Sequence, residues 1–493
     1  MDYENLKYIA SRYFGFIEGV YKHQNMTDTP YLKDRISKET YHHMFEDVAK
    51  MIMEYPDEDI ETYRKMLYDD SKIEFMIKRI VYSQGQTPGM VLNFGTKLNR
   101  DVIVCGNMQE VNINNNKIEK MPISMKENTI FDLASTSKLF TSLSILKLCE
   151  AGLISLDDPI RKHVPEFQNL GNITIFELLT FTTSVKTTSR LNDAKSPEEA
   201  LHILYTLEKN NAPNKMWMYS DMGAMCLRVL VERVAKMSFK DFVNEEILRP
   251  CNMNNTFLNV PRDLRGNVAN ENYSSVVDAN GNIQTRFTNI PGTAHDPKAN
   301  IIGHQVGIAP GHAGYFSNAS DMTTLAKAIM EGKVINEEHT KMLAQNHVGE
   351  KLQDENGNDI YSQHLGALTY TKQGNSRLLG VPSFLSGGAF LSPGFGGTFL
   401  CVDKLNGAYS FLGSNRLHNR IYSIPQEYAG QIKQDIYGEK TYTDPSLNKQ
   451  VVSSTYTKDV GVINYTAMEL ALKYRLLELM LNQKKELTLK RYI

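Results

Sequence analysis

The stretch Phe131–Gly152, FDLASTSKLFTSLSILKLCEAG, sets Ser135 and Lys138 three residues apart at the start of what reads as an amphipathic helix. On a helix, positions i and i+3 share a face with Cβ atoms about 5 to 6 Å apart, so an ammonium at 138 can reach a hydroxyl at 135. The helix start adds unpaired N–H groups and a dipole favourable to the negative charge that builds during acyl transfer. The spacing has a plainer reading as well. Serine is a favoured N-cap, and S-x-x-K recurs at Ser144/Lys147 and Ser446/Lys449, so on its own it does not define a catalytic pair.

A serine hydroxyl is a poor nucleophile until a base takes its proton, and lysine serves only if its ammonium is disfavoured by burial or nearby positive charge. A second proton carrier is available in NKMWMYSDMGAMCLRVLVERV, residues 214–234, where Tyr219-Ser220-Asp221 precedes a helix with apolar positions at Met222, Met225, Cys226, Val229, Leu230 and Val234. Read singly, Tyr219 is a helix-entry staple and Asp221 a cap.

The chain has 493 residues, 41% of them hydrophobic, which is enough for a large enzymatic domain with an extension. A net charge of -2 with interspersed signs offers no basic face, so no nucleic-acid partner is expected. The start, MDYENLKYIASRYFGF, lacks a basic segment followed by an apolar run, and no segment approaches the roughly 18 to 20 apolar residues of a membrane span, which makes a cytoplasmic protein the expectation. The five cysteines (105, 149, 226, 251, 401) are scattered and never in C-x-x-C spacing, so they are expected to be reduced and mostly buried, with no zinc site and no cofactor.

Along the chain, Leu6, Ile9, Tyr13, Ile17 and Val20, then residues 44–53 and 60–80, repeat at helical spacing, giving an N-terminal helical extension over 1–83. It could cover a cleft, pack behind the domain or mediate a dimer. From 84 to 493 a mixed domain is expected. TPGMVLNFG and DVIVCGNMQEV read as a hairpin opening a sheet, a helical subdomain fills roughly 136–300, and GALTYT, RLLGVPSF, GTFLCVD and GAYSFLGS read as antiparallel strands. A turn is expected at 278–282, and Thr466-Ala467-Met468-Glu469 reads as a capping box opening a helix through about Lys484. The Met-rich stretches 51–53 and 216–225 are read as core filling. The class is α+β.

The order S-x-x-K, then Y-S-D, then a Gly-rich strand SPGFGGT at residues 392–398 resembles the serine β-lactamase and penicillin-binding protein superfamily, in its class C-like branch with D-alanyl carboxypeptidases and esterases. LISLDDPIRKHVPEF, ITIFELLTFTTS, VLVERVAKMSFKDFVNEEILRPCNMNNTFL, HDPKANIIGHQVGIAPGHAGYFSNASDM and FLGSNRLHNR resemble that family's blocks in order, so the resemblance runs from about Gln86 to Arg420. It implies a β-lactamase/transpeptidase-like fold, an antiparallel sheet flanked by helices.

By that resemblance Ser135 is the nucleophile of an acyl-enzyme, Lys138 assists its deprotonation and Tyr219 shuttles protons. Asp221 stands where the family often has Asn, and its charge favours a protonated lysine, moving the role of base toward Tyr219. The oxyanion hole is expected from the backbone N–H groups of Ser135 and Phe395, with Gly394 allowing close approach. Ser392-Pro393-Gly394 replaces the usual K-T-G or H-T-G and loses the group beside a substrate carboxylate, which favours an ester or D-amino-acid peptide over efficient β-lactam hydrolysis. Anchoring would then fall to residues such as Arg416 or His418. Phe181-Thr182-Thr183-Ser184, where relatives have H-T-S-G, is read as a packing change. His312 borders the cleft in this reading, and His295-Asp296 resembles a dyad or half a metal site, with loop fixing as the default. The expected partner is a small ester, peptide or β-lactam, and a homo-oligomer stays open. The competing reading is a catalytically silent member of the fold that acts as a binding or interaction module.

Overall fold

The computed structural model describes residues 38–83, 85–114, 117–183, 185–187, 189, 191–210, 219–271, 273–277, 283–287, 291–304, 309–344, 352–353, 359–362, 369–371, 385, 389–418, 420–423, 433–434, 440–444, 449–452 and 458–491. The expected helix at 6–20, the turn at 278–282, the strand RLLGVPSF, Met216 to Met218, Ser184 and Ser446 lie outside these residues.

The N-terminal periodicity forms α1 (Lys38–Glu54), α2 (Ile60–Ser71) and α3 (Ile73–Lys78). Asp59 caps α2 by accepting from the Thr62 N–H at 2.8 Å, and Lys72, at φ 56°, breaks the run that the sequence presents as continuous. The expected hairpin follows as β1 (Gly89–Thr96) and β2 (Arg100–Asn114), with Gly95 opposite Arg100, and β3 (Lys117–Ser124) extends it. After β4 (Ile130–Asp132) come the central helix α4 (Lys138–Glu150), α5 (Asp221–Ala235), β5 (Phe316–Asn318) and α6 (Ala319–Met330). The late strands are β6 (Ala389–Pro393), β7 (Phe399–Asp403) and β8 (Ala408–Ser414), and the chain closes with α7 (Lys458–Arg491).

The main sheet runs β6-β7-β8-β1-β2-β3 in space, and all its pairings are antiparallel. Every residue of β1 is buried, because both faces are covered. Strand side chains alternate between faces, and the sequence uses that period to feed two cores. Val91, Phe390, Leu400, Val402, Tyr409 and Phe411 join the core built on α4, α5 and α6. Met90, Leu92, Phe94, Leu391, Cys401 and Leu412 join a second core with α7 and the N-terminal helices. In that second core Phe45, Val48, Tyr63 and Ile77 meet Ile463, Ala471, Tyr474 and Leu477. Of the three placements open to the N-terminal helices, residues 38–83 take the one behind the sheet.

Three local readings are corrected here. Helix α4 is buried from Lys138 through Leu146 rather than amphipathic, because it runs through the middle of the molecule. Thr466 does not cap a helix: α7 begins at Lys458, and the Thr466 hydroxyl donates to the Val462 carbonyl at 3.0 Å. The SPGFGGT stretch is a strand only over Ser392 and Pro393, which end β6; residues 394–398 form the turn to β7, which begins at Phe399. All five cysteines are free, and four of them are buried. Among the described residues no helix is long and apolar enough to cross a membrane.

Candidate active site

Ser135 lies in a tight 3-10 turn, Ala134–Ser137, that leads directly into α4. The turn is strained: Ala134 has φ 45°, a left-handed conformation that costs a residue with a Cβ. It persists because its surroundings fix it. Asp132 accepts from the Ala134 N–H at 2.8 Å, and the Leu133 N–H donates to the Tyr315 carbonyl at 2.9 Å. Thr136 donates to the Ser392 carbonyl at 3.0 Å, and Thr398 donates to the Leu133 carbonyl at 3.1 Å. These last two bonds join the serine turn to the end of β6 and to the turn that follows it.

Lys138, 1% exposed, reaches back one turn to place Nζ 3.0 Å from the Ser135 Oγ. The same ammonium donates to the His312 carbonyl at 3.0 Å and pairs with Asp221 Oδ1 at 2.9 Å. Tyr219 enters from the segment before α5. Its hydroxyl lies 2.7 Å from the Ser135 Oγ and 2.5 Å from Lys138 Nζ, and its ring packs on Phe181 with centroids 5.2 Å apart. Serine, lysine and tyrosine therefore form a closed triangle of contacts. Asp221 is the first residue of α5 but not its cap, which is Ser220; its carboxylate is spent on cations.

Electrostatics follow from that packing. Burial works against a charged Lys138, but Tyr219 and Asp221 outweigh it and hold the ammonium well above the ordinary lysine value. Burial likewise opposes ionised Asp221, yet Lys138 and Lys298 keep its carboxyl well below the usual range. Burial is the leading cause that lifts the Tyr219 phenol, against the pull of Lys138. Both groups are thus held in their protonated forms more firmly than a free lysine or tyrosine, and the two titrate as a pair.

Beyond the triangle, Lys298 Nζ lies 3.2 Å from Asp221 Oδ2 and 3.2 Å from Asp296 Oδ2, and His312 Nε2 lies 2.8 Å from Asp296 Oδ1. Asp221, Asp296 and His312 bring ligand-type atoms within 4.8 Å of one another, but both carboxylates are already neutralised by lysine ammoniums. The alternative of a dyad between His295 and Asp296 is not formed. His295 gives its backbone N–H to Asp132 at 2.8 Å and sets its ring nearly parallel to Phe395, with centroids 6.5 Å apart, while Asp296 turns to His312. Sequence reasoning missed Asp132 and Lys298 altogether.

On the opposite wall, Phe395 is 36% exposed. Gly394 gives its N–H to the Thr398 carbonyl at 2.7 Å, and a Cβ there would meet Thr398 Oγ1 at 2.1 Å and the Leu133 carbonyl at 2.5 Å, so its part is to let two turns touch. Ser392 is buried within the sheet, and His312 is buried with its ring turned to Asp296, so neither presents a side chain as a substrate contact; it is the His312 carbonyl that meets Lys138. Arg416 and His418 are also poor anchors. Arg416 donates to the Phe395 carbonyl at 2.8 Å with its guanidinium 5.3 Å from the Phe395 ring, and His418 Nε2 accepts from the Glu110 N–H at 2.9 Å. The second S-x-x-K is structural: Ser144 donates to the Phe140 carbonyl at 2.7 Å and Lys147 to the Val334 carbonyl at 3.1 Å.

A six-stranded antiparallel sheet with helices on both faces, and a serine at the mouth of a buried central helix, make this a β-lactamase/transpeptidase-like fold. The family model described as Beta-lactamase matches residues 76–426, and the chain belongs to that family. It is 26% identical over 367 residues to the "Putative D-alanyl-D-alanine carboxypeptidase" of Escherichia coli (strain K12), covering 65% of this chain and 77% of that protein. Among solved structures it is similar to EstCE1, a hydrolase with promiscuous acyltransferase activity, with a TM-score of 0.55, 16% identity and coverage of 81% and 99%. Simvastatin synthase (LovD) from Aspergillus terreus gives a TM-score of 0.55 at 15% identity, with coverage of 81% and 97%. These two likenesses concern the fold.

Proposed function

We propose that this chain is a serine hydrolase that opens an ester or amide bond through an acyl-enzyme on Ser135. One observation carries the reading: the Ser135 Oγ has Lys138 Nζ at 3.0 Å and the Tyr219 hydroxyl at 2.7 Å. In the form of the pair that has lost one proton, the Tyr219 oxygen takes the serine proton as Oγ attacks the carbonyl carbon, and Lys138 stays an ammonium opposite Asp221. The backbone N–H groups of Ser135 and Phe395 hold the developing oxyanion. Tyr219 then returns the proton to the leaving oxygen or nitrogen, and water, deprotonated by the same route, releases the acid and restores the serine.

The acyl group is that of an ester or a D-amino-acid peptide rather than a β-lactam. Ser392 and Pro393 supply no cation beside the Gly394 turn, and Arg416 holds the Phe395 loop. The carboxypeptidase relative supports the D-amino-acid arm. A panel of p-nitrophenyl esters, D-alanyl-D-alanine peptides and a chromogenic cephalosporin tests this. Turnover of an ester or D-peptide at least about a hundredfold faster than the cephalosporin is expected, a difference of roughly 3 kcal/mol in barrier. Efficient cephalosporin hydrolysis would refute the substrate assignment, and inertness toward every activated acyl compound would leave a binding module on this fold.

A further inference from the structure

The charge network does not end at Asp221. Lys138 is met by Ser135 from its own turn, by Tyr219 and Asp221 from the start of α5, and by the His312 carbonyl from the turn at 309–315. Behind Asp221 stands a second layer, from residues 294–300 and the same His312. Lys298 bridges Asp221 Oδ2 and Asp296 Oδ2, each at 3.2 Å, and Asp296 Oδ1 is fixed by His312 Nε2 at 2.8 Å and by the Ala299 N–H at 2.9 Å. Asp296 caps the short helical turn that carries Lys298, so the lysine stem and its second carboxylate come from one rigid unit. Lys298 is largely buried, with 15% of its side chain exposed.

One carboxylate thus serves two ammoniums, one oxygen each. We propose that Lys298 is a positioning residue that shares the Asp221 carboxylate with Lys138, anchored in that task by Asp296 and His312, so that Asp221 orients Lys138 toward Ser135 without holding its proton too tightly. The inference rests on the serine-nucleophile reading above. Its physical basis is Coulombic. In a buried site, a positive charge on the far oxygen of Asp221 opposes protonation of the Lys138–Tyr219 pair, and a negative charge at Asp296 favours it. Removing either charge must therefore move the deprotonation of the pair in opposite directions, which loss of packing cannot do.

The test is the rate of inactivation by a fluorophosphonate as a function of pH, with the adduct mapped by mass spectrometry, in the full chain. Wild type is expected to give an ascending limb with labelling at Ser135. Lys298→Met moves the limb up by roughly one pH unit, Asp296→Asn moves it down by a similar amount, and Lys298→Arg restores the wild-type midpoint. Rates of Lys298→Met recover at high pH, which a collapsed site would not allow. Unlabelled wild-type Ser135 would remove the serine reading and this inference with it. Labelling with the same midpoint in all variants, or shifts of the same sign in Lys298→Met and Asp296→Asn, would overturn the role of Lys298 alone.

Discussion

Asp221 Oδ1 and Lys138 Nζ meet at 2.9 Å, although one begins α5 and the other begins α4, and the lysine side chain is 1% exposed. The Asp221 side chain is 24% exposed, so the cost of breaking the pair falls on the lysine, whose buried ammonium would be left uncompensated in low dielectric. Asp221→Ala is therefore expected to lose about 3–5 kcal/mol of stability in denaturant melts. Asp221→Asn keeps a hydrogen-bonding group and costs less, and because it removes negative charge its activity limb moves to lower pH. An Asp221→Ala protein as stable as wild type would show that the buried Lys138 ammonium does not depend on Asp221.

Tyr219 is the group whose loss separates chemistry from folding. Its ring packs on Phe181, which phenylalanine preserves, while its hydroxyl stands between Ser135 and Lys138. Tyr219→Phe is expected to lower kcat/KM for the best ester by about 10²- to 10⁴-fold with little change in Tm. A loss of less than tenfold would return the role of base to Lys138.

Asp132 links the serine turn to the His295 segment and is buried; burial is the main reason its carboxyl is pushed up from 3.8 to about 6, against the two N–H groups it accepts. The folded-state value lies above the unfolded one, so the fold favours the protonated acid. A contribution of about 3 kcal/mol is whole below pH 3.8 and is lost as pH rises through about 6. Asp132→Asn has no such dependence. The stability of wild type relative to Asp132→Asn, measured by urea unfolding, should fall between pH 4 and 7, and a constant difference would contradict the shift.

Gly394 is required by contact rather than by backbone freedom. Its added Cβ meets Thr398 Oγ1 and the Leu133 carbonyl within 2.5 Å, so Gly394→Ala must part the two turns that frame Ser135. The expected cost is about 1–3 kcal/mol in stability together with a lower kcat, read by melts and ester kinetics.

What the sequence made legible is what is local. Ser135 and Lys138 lie within one helical turn, and Tyr219 and Asp221 stand beside a clear helix start, but spacing alone reads them as caps and a staple; the ordered resemblance to the β-lactamase family singles them out. The β1–β2 hairpin was readable from its local pattern. Lys298 and Asp132 were not, because each acts through a partner far along the chain: Lys298 through Asp221, and Asp132 through the N–H of His295. Arg416 and His418 read as anchors because a polar side chain near a motif does not reveal that backbone groups already occupy it. Thr466 shows the reverse error. T-x-x-E has the local chemistry of a cap, but the helix is already under way there, since α7 starts at Lys458.

The most direct measurement is the intact mass of the protein after reaction with a fluorophosphonate, for wild type and Ser135→Ala side by side. One covalent adduct on wild type, mapped to the peptide holding Ser135 and absent from the folded Ser135→Ala protein, is the expected result. An adduct that persists in Ser135→Ala, or its absence from wild type across the alkaline range where the Lys138–Tyr219 pair loses its proton, would contradict the account.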